Sequence, residues 1–120
     1  MFEESLRRVV HETEGGLASV VMGFDGISLE EYTGEAAADL QIASMGMEYS
    51  VILRQIRTAM EMLDGGELNE VSVRAKKCVS VIRVLTKEYF LCVALKPDGN
   101  LGKARYLARM VAPGIRQELE

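Results

Sequence analysis

The sequence predicts an α+β domain in which helices cover both faces of a five-stranded sheet, a three-layer α/β/α sandwich. Three observations predict it. Helix-like and strand-like segments follow one another in the order α-β-β-α-β-β-β-α. Three of the five strand segments are continuous apolar runs, the pattern of strands covered on both faces. And 120 residues, 48% of them hydrophobic, supply one core, so residues 1–120 are read as a single domain.

The elements follow in chain order. Phe2, Leu6, Val9 and Val10 recur at helical spacing until Gly15-Gly16 breaks the pattern, giving a short amphipathic helix. Leu17 to Phe24 is an apolar run, Asp25-Gly26 is a favoured pair for a two-residue turn, and Ile27 to Tyr32 alternates apolar and polar, which together predict a β-hairpin. From Glu35 to Leu63 there is no proline and only one glycine, Gly46, so a long helix is expected to run to the stop at Asp64-Gly65-Gly66. Glu67 to Ala75, Cys78 to Thr86 and Tyr89 to Lys96 are rich in β-branched and aromatic residues. The short links Lys76-Lys77 and Lys87-Glu88 make them a meander. Pro97-Asp98-Gly99-Asn100 is turn chemistry with Asn100 as N-cap. Leu101, Ala104, Leu107, Ala108 and Val111 then share one helical face, and Pro113-Gly114 is expected to kink or end that helix.

Strand composition sets the sheet order. Glu30 and Glu31 on the second strand, and Glu67, Glu70 and Arg74 on the third, suit edges, where charge discourages unwanted pairing. Joining the hairpin to the meander through their apolar members gives the order 2-1-5-4-3, with helices on both faces.

The long helix carries two apolar lines when residues are placed at about 100° per step. Ile42, Met45, Tyr49, Ile52, Leu53, Ile56, Met60 and Leu63 form a stripe expected to pack on the sheet. Leu40, Ala43, Met47, Val51 and Met62 fall on the opposite side, a line that a monomer would leave in water. Such a line marks a partner surface, and methionine side chains adapt to varied contacts. The third strand is self-complementary. Paired antiparallel with a second copy about Ser72, it sets Glu70 opposite Arg74 and Val71 opposite Val73. We therefore read Leu40, Ala43, Met47, Val51, Glu70, Val71, Ser72, Val73 and Arg74 as a homodimer interface.

Composition excludes several classes. A net charge of −4 lacks the basic patch of a nucleic-acid binder. No apolar run approaches the ~20 residues that span a bilayer, and Met1 to Arg8 do not resemble a signal peptide. With Cys78 and Cys92 in apolar stretches, free of metal-ligand spacing, the expectation is a reducing, cytoplasmic setting without membrane insertion. The single histidine, His11, sits on the polar side of the first helix. No glycine pair has phosphate-loop spacing, and the acidic residues are scattered. No catalytic, cofactor-binding or metal residues are assigned.

The strand and turn Val20-Val21-Met22-Gly23-Phe24-Asp25-Gly26-Ile27, the long helix before Gly65-Gly66, and Leu101-Gly102-Lys103-Ala104-Arg105 opening the last helix carry a resemblance to the roadblock/dynein light chain family. It spans Leu6 to about Leu119. The resemblance implies a homodimer with paired third strands and adjacent long helices. It also implies a small Ras-like GTPase as partner, since gliding-motility members act as GTPase-activating partners, whereas eukaryotic relatives are dynein light chains or scaffold subunits. On that footing Arg54, Arg57 and Glu61, duplicated across a dimer, are the partner-binding candidates. Arg54, Arg57, Arg74 and Arg83 all stay open as an arginine supplied to the GTPase. A structural adaptor is the alternative. A small-molecule sensor would instead line a pocket with Met45, Tyr49, Phe90 and Cys92, residues better read as core.

Overall fold

The computed structural model describes residues 1–37 and 39–120. Its elements are α1 (Glu3–His11), β1 (Gly16–Gly23), β2 (Ser28–Thr33), a 3-10 turn (Glu35–Ala37), α2 (Ile42–Met62), β3 (Glu70–Arg74), β4 (Val79–Val84), β5 (Tyr89–Leu95) and α3 (Leu101–Leu119). The order is the expected one, and the five strands form one antiparallel sheet in the order β2-β1-β5-β4-β3.

Alternation along the strands divides the core in two. Val21, Val79, Val81, Leu91, Val93 and Leu95 face α1 and α3, where Leu6, Val9, Leu107 and Ile115 close the layer. Ala18, Val20, Met22, Ile82, Phe90, Cys92 and Ala94 face α2, which contributes Ile42 and Leu53. Both faces of β1, β4 and β5 are thus covered, which is why those strands carry apolar residues at nearly every position.

Several boundaries differ from the sequence reading. The long helix starts at Ile42, because Glu35–Ala37 forms a separate 3-10 turn; Ala38, inside the expected helix, lies outside the described residues. The β1–β2 loop holds three residues rather than two. Gly23 N–H donates to Ile27 O, Gly26 N–H donates to Gly23 O, and Gly26 takes the left-handed φ of +87° that such a loop needs. Phe24 therefore belongs to the turn and not to the strand.

The β4–β5 turn is likewise one residue longer, with Thr86 inside it. Its Oγ1 accepts the N–H groups of Glu88 and Tyr89 at 3.1 Å. That shift places Arg83 opposite Leu91, and Cys92 opposite Ile82, so Arg83 lies on the α3 face of the sheet.

Pro113-Gly114 does not end α3, which continues to Leu119. Pro113 is exposed, so water can serve the carbonyl it leaves unpaired. Beyond it Ile115 is buried, Leu119 packs on the core, and Arg116 Nε donates to Leu85 O at 2.8 Å, so tertiary contacts carry the helix past the proline. At the other end Asn100 caps α3 as expected, its side-chain oxygen accepting from Lys103 N–H at 3.0 Å.

The face that α2 presents to the sheet is rotated from the expected stripe. Ile42, Gly46, Ser50 and Leu53 are its buried residues, whereas Ile52 and Leu63 of the expected stripe are exposed. Gly46 explains the rotation. A β-carbon there would lie 2.9 Å from Sδ and Cε of Met22, so the helix meets β1 most closely where it has no side chain. Ser50 is buried without penalty because its hydroxyl donates to Met47 O one turn back, at 2.6 Å.

Candidate interaction surface

The rotation of α2 decides what it leaves in water. Met47 (54% exposed), Val51 (43%), Ile52 (48%) and Met62 (83%) of α2, and Leu63 (71%) at its C-cap, are large apolar side chains turned away from the sheet. Isolated exposed apolar residues are ordinary, but four on one helix and a fifth at its C-cap are a concentration that a partner could cover. Beside them Val51, Arg54, Gln55 and Thr58 line a shallow depression of about 410 Å³. Two members of the expected outer line are not there. Leu40 precedes the helix, and both Leu40 and Ala43 are half-buried against the α2-side core of their own chain. Ile52 and Leu63 take their places. The signal that could have found them was Gly46, whose lack of a side chain marks the line of closest approach and so fixes which side points away.

The strand β3 forms the edge of the sheet opposite β2. It pairs with β4 along one side only, with Val71 opposite Ile82 and Ser72 opposite Val81. Val71 and Val73 are half-buried against the α2-side core, and Ser72 and Arg74 are exposed. Glu70 is already engaged within the chain. Its Oε2 accepts from Arg105 of α3, at 2.9 Å from Nε and 2.8 Å from Nη2. A second copy's Arg74 would have to share that carboxylate, whose four lone-pair sites leave room for a further donor.

The arginines singled out from the sequence are tied inward. Arg54 Nη1 donates to Phe24 O in the β1–β2 turn. Arg57 Nη1 donates to Lys87 O in the β4–β5 turn at 2.9 Å, while its guanidinium carbon lies 3.6 Å from the centroid of the Phe24 ring. Such a stacked cation contributes roughly 0.5–2 kcal/mol, depending on its desolvation. Phe24 in turn packs edge-on against Phe90, with centroids 5.3 Å apart. The two arginines therefore clamp two turns to α2, a duty invisible to a reading that placed them by helical angle alone. Glu61 is exposed in the last turn of the helix.

Arg83 lies half-buried on the α3 side, beside Glu70 in the ladder, and its Nε is buried without a hydrogen-bond partner among the described residues. Under α2, Phe90 and Cys92 are fully buried, and Met45 and Tyr49 pack against them, so these four residues are core. Tyr49 OH and Ser80 Oγ share a hydrogen bond at 3.0 Å; burial pushes the phenol pKa up, partly offset by that bond. Burial also pushes the Cys92 thiol up to about 12, with Cys78 adding to the shift. Such a thiol is inert at neutral pH. Among the described residues no three His, Cys, Asp or Glu side chains gather as a metal site. Nor is any helix there long and apolar enough to cross a membrane.

Solved structures resemble the whole chain. MglC from Myxococcus xanthus is 44% identical, with 98% of each chain covered and a TM-score of 0.71. A roadblock/LC7 domain from Streptomyces avermitilis superposes with a TM-score of 0.84 at 17% identity, over 97% of this chain and 95% of that one. The gliding protein MglB from Thermus thermophilus gives a TM-score of 0.86 at 12% identity, over 96% and 85%. No protein-family model and no curated protein matches the chain. The two more distant similarities establish the fold, and the identity to MglC over nearly all of both chains establishes kinship. With the strand order, the outward-facing α2 and the free edge of β3, they show that the chain belongs to the roadblock/dynein light chain (LC7) family.

Proposed function

We propose that the chain is a non-catalytic, homodimeric binding module that regulates a small Ras-like GTPase. One observation carries the reading: α2 and its C-cap leave large apolar side chains in water, Met47, Val51, Ile52, Met62 and Leu63, in a chain whose sheet also ends on the edge strand β3. Pairing β3 with its copy satisfies the open edge and brings the two α2 helices together, so one two-fold axis covers both features. A homologous fold supports self-association, since MglB has been seen in a tetrameric arrangement. The dimer surface then comprises Met47, Val51, Ile52, Val71, Ser72, Val73 and Arg74, with Glu70 shared between Arg105 and the second copy's strand. The GTPase reading rests on the family resemblance and on the mixed charge around the ridge, where Arg54, Arg57 and Glu61 border apolar surface. Such a combination suits orientation-specific recognition.

Sedimentation equilibrium tests the dimer, for which the mass should be twice 13.3 kDa. Titration calorimetry against a Ras-like GTPase, taken from the same genome and loaded with GDP or a GTP analogue, tests the partner. Unequal affinities identify a regulator, because a ligand with no differential affinity cannot read the nucleotide state. Equal affinities point to a structural adaptor. Acceleration of single-turnover GTP hydrolysis distinguishes a GTPase-activating partner from one that only binds.

A further inference from the structure

On the α1 side of the sheet, away from α2, a cleft of about 520 Å³ opens where α1 and β2 end and β1 begins. Arg7, His11, Thr13, Tyr32, Glu35 and Lys96 line it. The volume falls in the range of small-molecule sites, roughly 300–1,000 Å³. Its charge runs against that of the chain. Arg7, Lys96 and the imidazole of His11 face a single carboxylate, Glu35, in a protein of net charge −4.

The rim is held in place from within. His11 Nε2 and Tyr32 OH share a hydrogen bond, and the Arg7 guanidinium lies 5.4 Å from the centroid of the Tyr32 ring. In the wall, Thr13 is only 3% exposed, yet its Oγ1 has no hydrogen-bond partner among the described residues. A buried hydroxyl left unpaired costs about 1–3 kcal/mol. Packing accounts for the neighbouring glycines: a β-carbon on Gly16 would meet Val10 O at 2.3 Å, and one on Gly15 would meet the backbone of Gly99 at 2.6 Å. Packing does not account for the unpaired hydroxyl, or for Arg7, Lys96 and an imidazole gathered on one rim.

We propose that this cleft binds a small-molecule phosphate ester. Arg7, Lys96 and His11 surround the phosphate, and the Thr13 hydroxyl, closed off from solvent in the unliganded cleft, turns outward to donate to one of its oxygens. The organic part lies against the Tyr32 ring and Val10, with Glu35 accepting from a hydroxyl. A tetrahedral oxyanion suits two cations, an imidazole and a hydroxyl donor better than a single carboxylate does, because it offers more acceptor oxygens. The volume also exceeds what a bare phosphate fills.

The test is amide chemical-shift mapping of the full chain, titrated with inorganic phosphate and separately with ribose 5-phosphate. Saturable shifts at Thr13, Gly15, Gly16 and Gly34 are expected with both probes, with the ester binding about tenfold tighter. Equal affinity for the two would overturn the ester and leave a plain oxyanion site. Shifts that never saturate with either probe, or that spread over surface lysines far from Thr13, would overturn the site itself.

Thr13→Val keeps the shape and removes the hydroxyl. Without ligand it should melt no lower than wild type, and it should bind the ester about tenfold more weakly. A lower unliganded melting temperature with unchanged ester affinity would show that the hydroxyl serves the fold. The exposed substitution Arg7→Gln gives an independent reading through the oxyanion alone, and undiminished phosphate binding in that variant would also refute the proposal.

Discussion

The double substitution Met47→Glu/Val51→Glu tests the proposed dimer at the point where the structure makes it most specific. Both side chains are about half exposed in the single chain, so each keeps roughly half of its apolar surface for a partner to cover. Full burial of such a side chain contributes about 1.5–3 kcal/mol, so half contributes about 1 kcal/mol. Two-fold symmetry counts each residue twice, and four side chains then account for about 4 kcal/mol, close to a thousandfold in dissociation constant. Four carboxylates brought to one axis add repulsion and desolvation to that loss. The single chain should lose little, because both positions face water and glutamate is at least as good a helix former as valine. Sedimentation equilibrium across a concentration series, with circular dichroism to check folding, gives the measurement. A dissociation constant within about threefold of wild type would remove α2 from the interface. An unfolded variant would instead mark the dimer as obligate, since such proteins have no stable single chain.

Three further outcomes follow from the intramolecular contacts. Cys92 has a folded-state pKa of about 12 against an ordinary 9.0, so the unfolded thiol ionises first. Its contribution is complete below about pH 9 and is lost as pH rises towards 12, and Tyr49, also raised, acts in the same direction. Urea midpoints should therefore fall across that window, and a maleimide reagent at neutral pH should label Cys78 while sparing Cys92. Arg57→Ala removes both the stack on Phe24 and the bond to Lys87 O, so it should cost about 1–2 kcal/mol. Hydrogen exchange should quicken at the β1–β2 and β4–β5 turns, and an effect confined to α2 would contradict the clamp. Pro113→Ala restores a missing helix donor at an exposed site and should raise stability by about 1–3 kcal/mol in urea unfolding, whereas destabilisation would mean that the proline is needed where it stands.

The layers and the strand order were legible in the sequence because the apolar runs of β1, β4 and β5 differ so plainly from the charged β2 and β3. The misplaced elements share a cause. Hydrophobicity was used to orient α2, but the residues nearest the sheet are Gly46 and Ser50, one without a side chain and the other polar with its hydroxyl paired inside the helix. Turn length failed for a related reason. Asp25-Gly26 suits a two-residue loop by composition, yet the structure draws Phe24 into the turn, where its ring meets Phe90 and Arg57. These are tertiary contacts that local propensity does not contain. Pro113 shows the same override, since the burial of Ile115 and the bond from Arg116 lie beyond any local window.

The positions of the arginines bear on how a module like this could act on a GTPase. A guanidinium supplied to another protein's active site must leave its present partners, and the cost depends on what it leaves. Arg57 would give up a hydrogen bond and an aromatic stack, and Arg54 a hydrogen bond to the β1–β2 turn. Each withdrawal also loosens a loop at the sheet margin. Arg74 is exposed and has no ion pair among the described residues, but it lies on β3, the strand that the proposed dimer consumes. Arg83 has a buried Nε and lies on the α3 face, on the other side of the sheet from α2. Each of the four is therefore tied into the fold, placed on the strand of the proposed dimer, or on the face of the sheet away from α2. If the dimer accelerates hydrolysis, the economical route is to bind and reshape the GTPase's own catalytic loops rather than to donate a cation. Arg54→Lys keeps the charge while altering the donor geometry that a transferred arginine would need. Acceleration should survive in that variant if reshaping is the mechanism, and its loss with binding intact would instead identify Arg54 as the donated group.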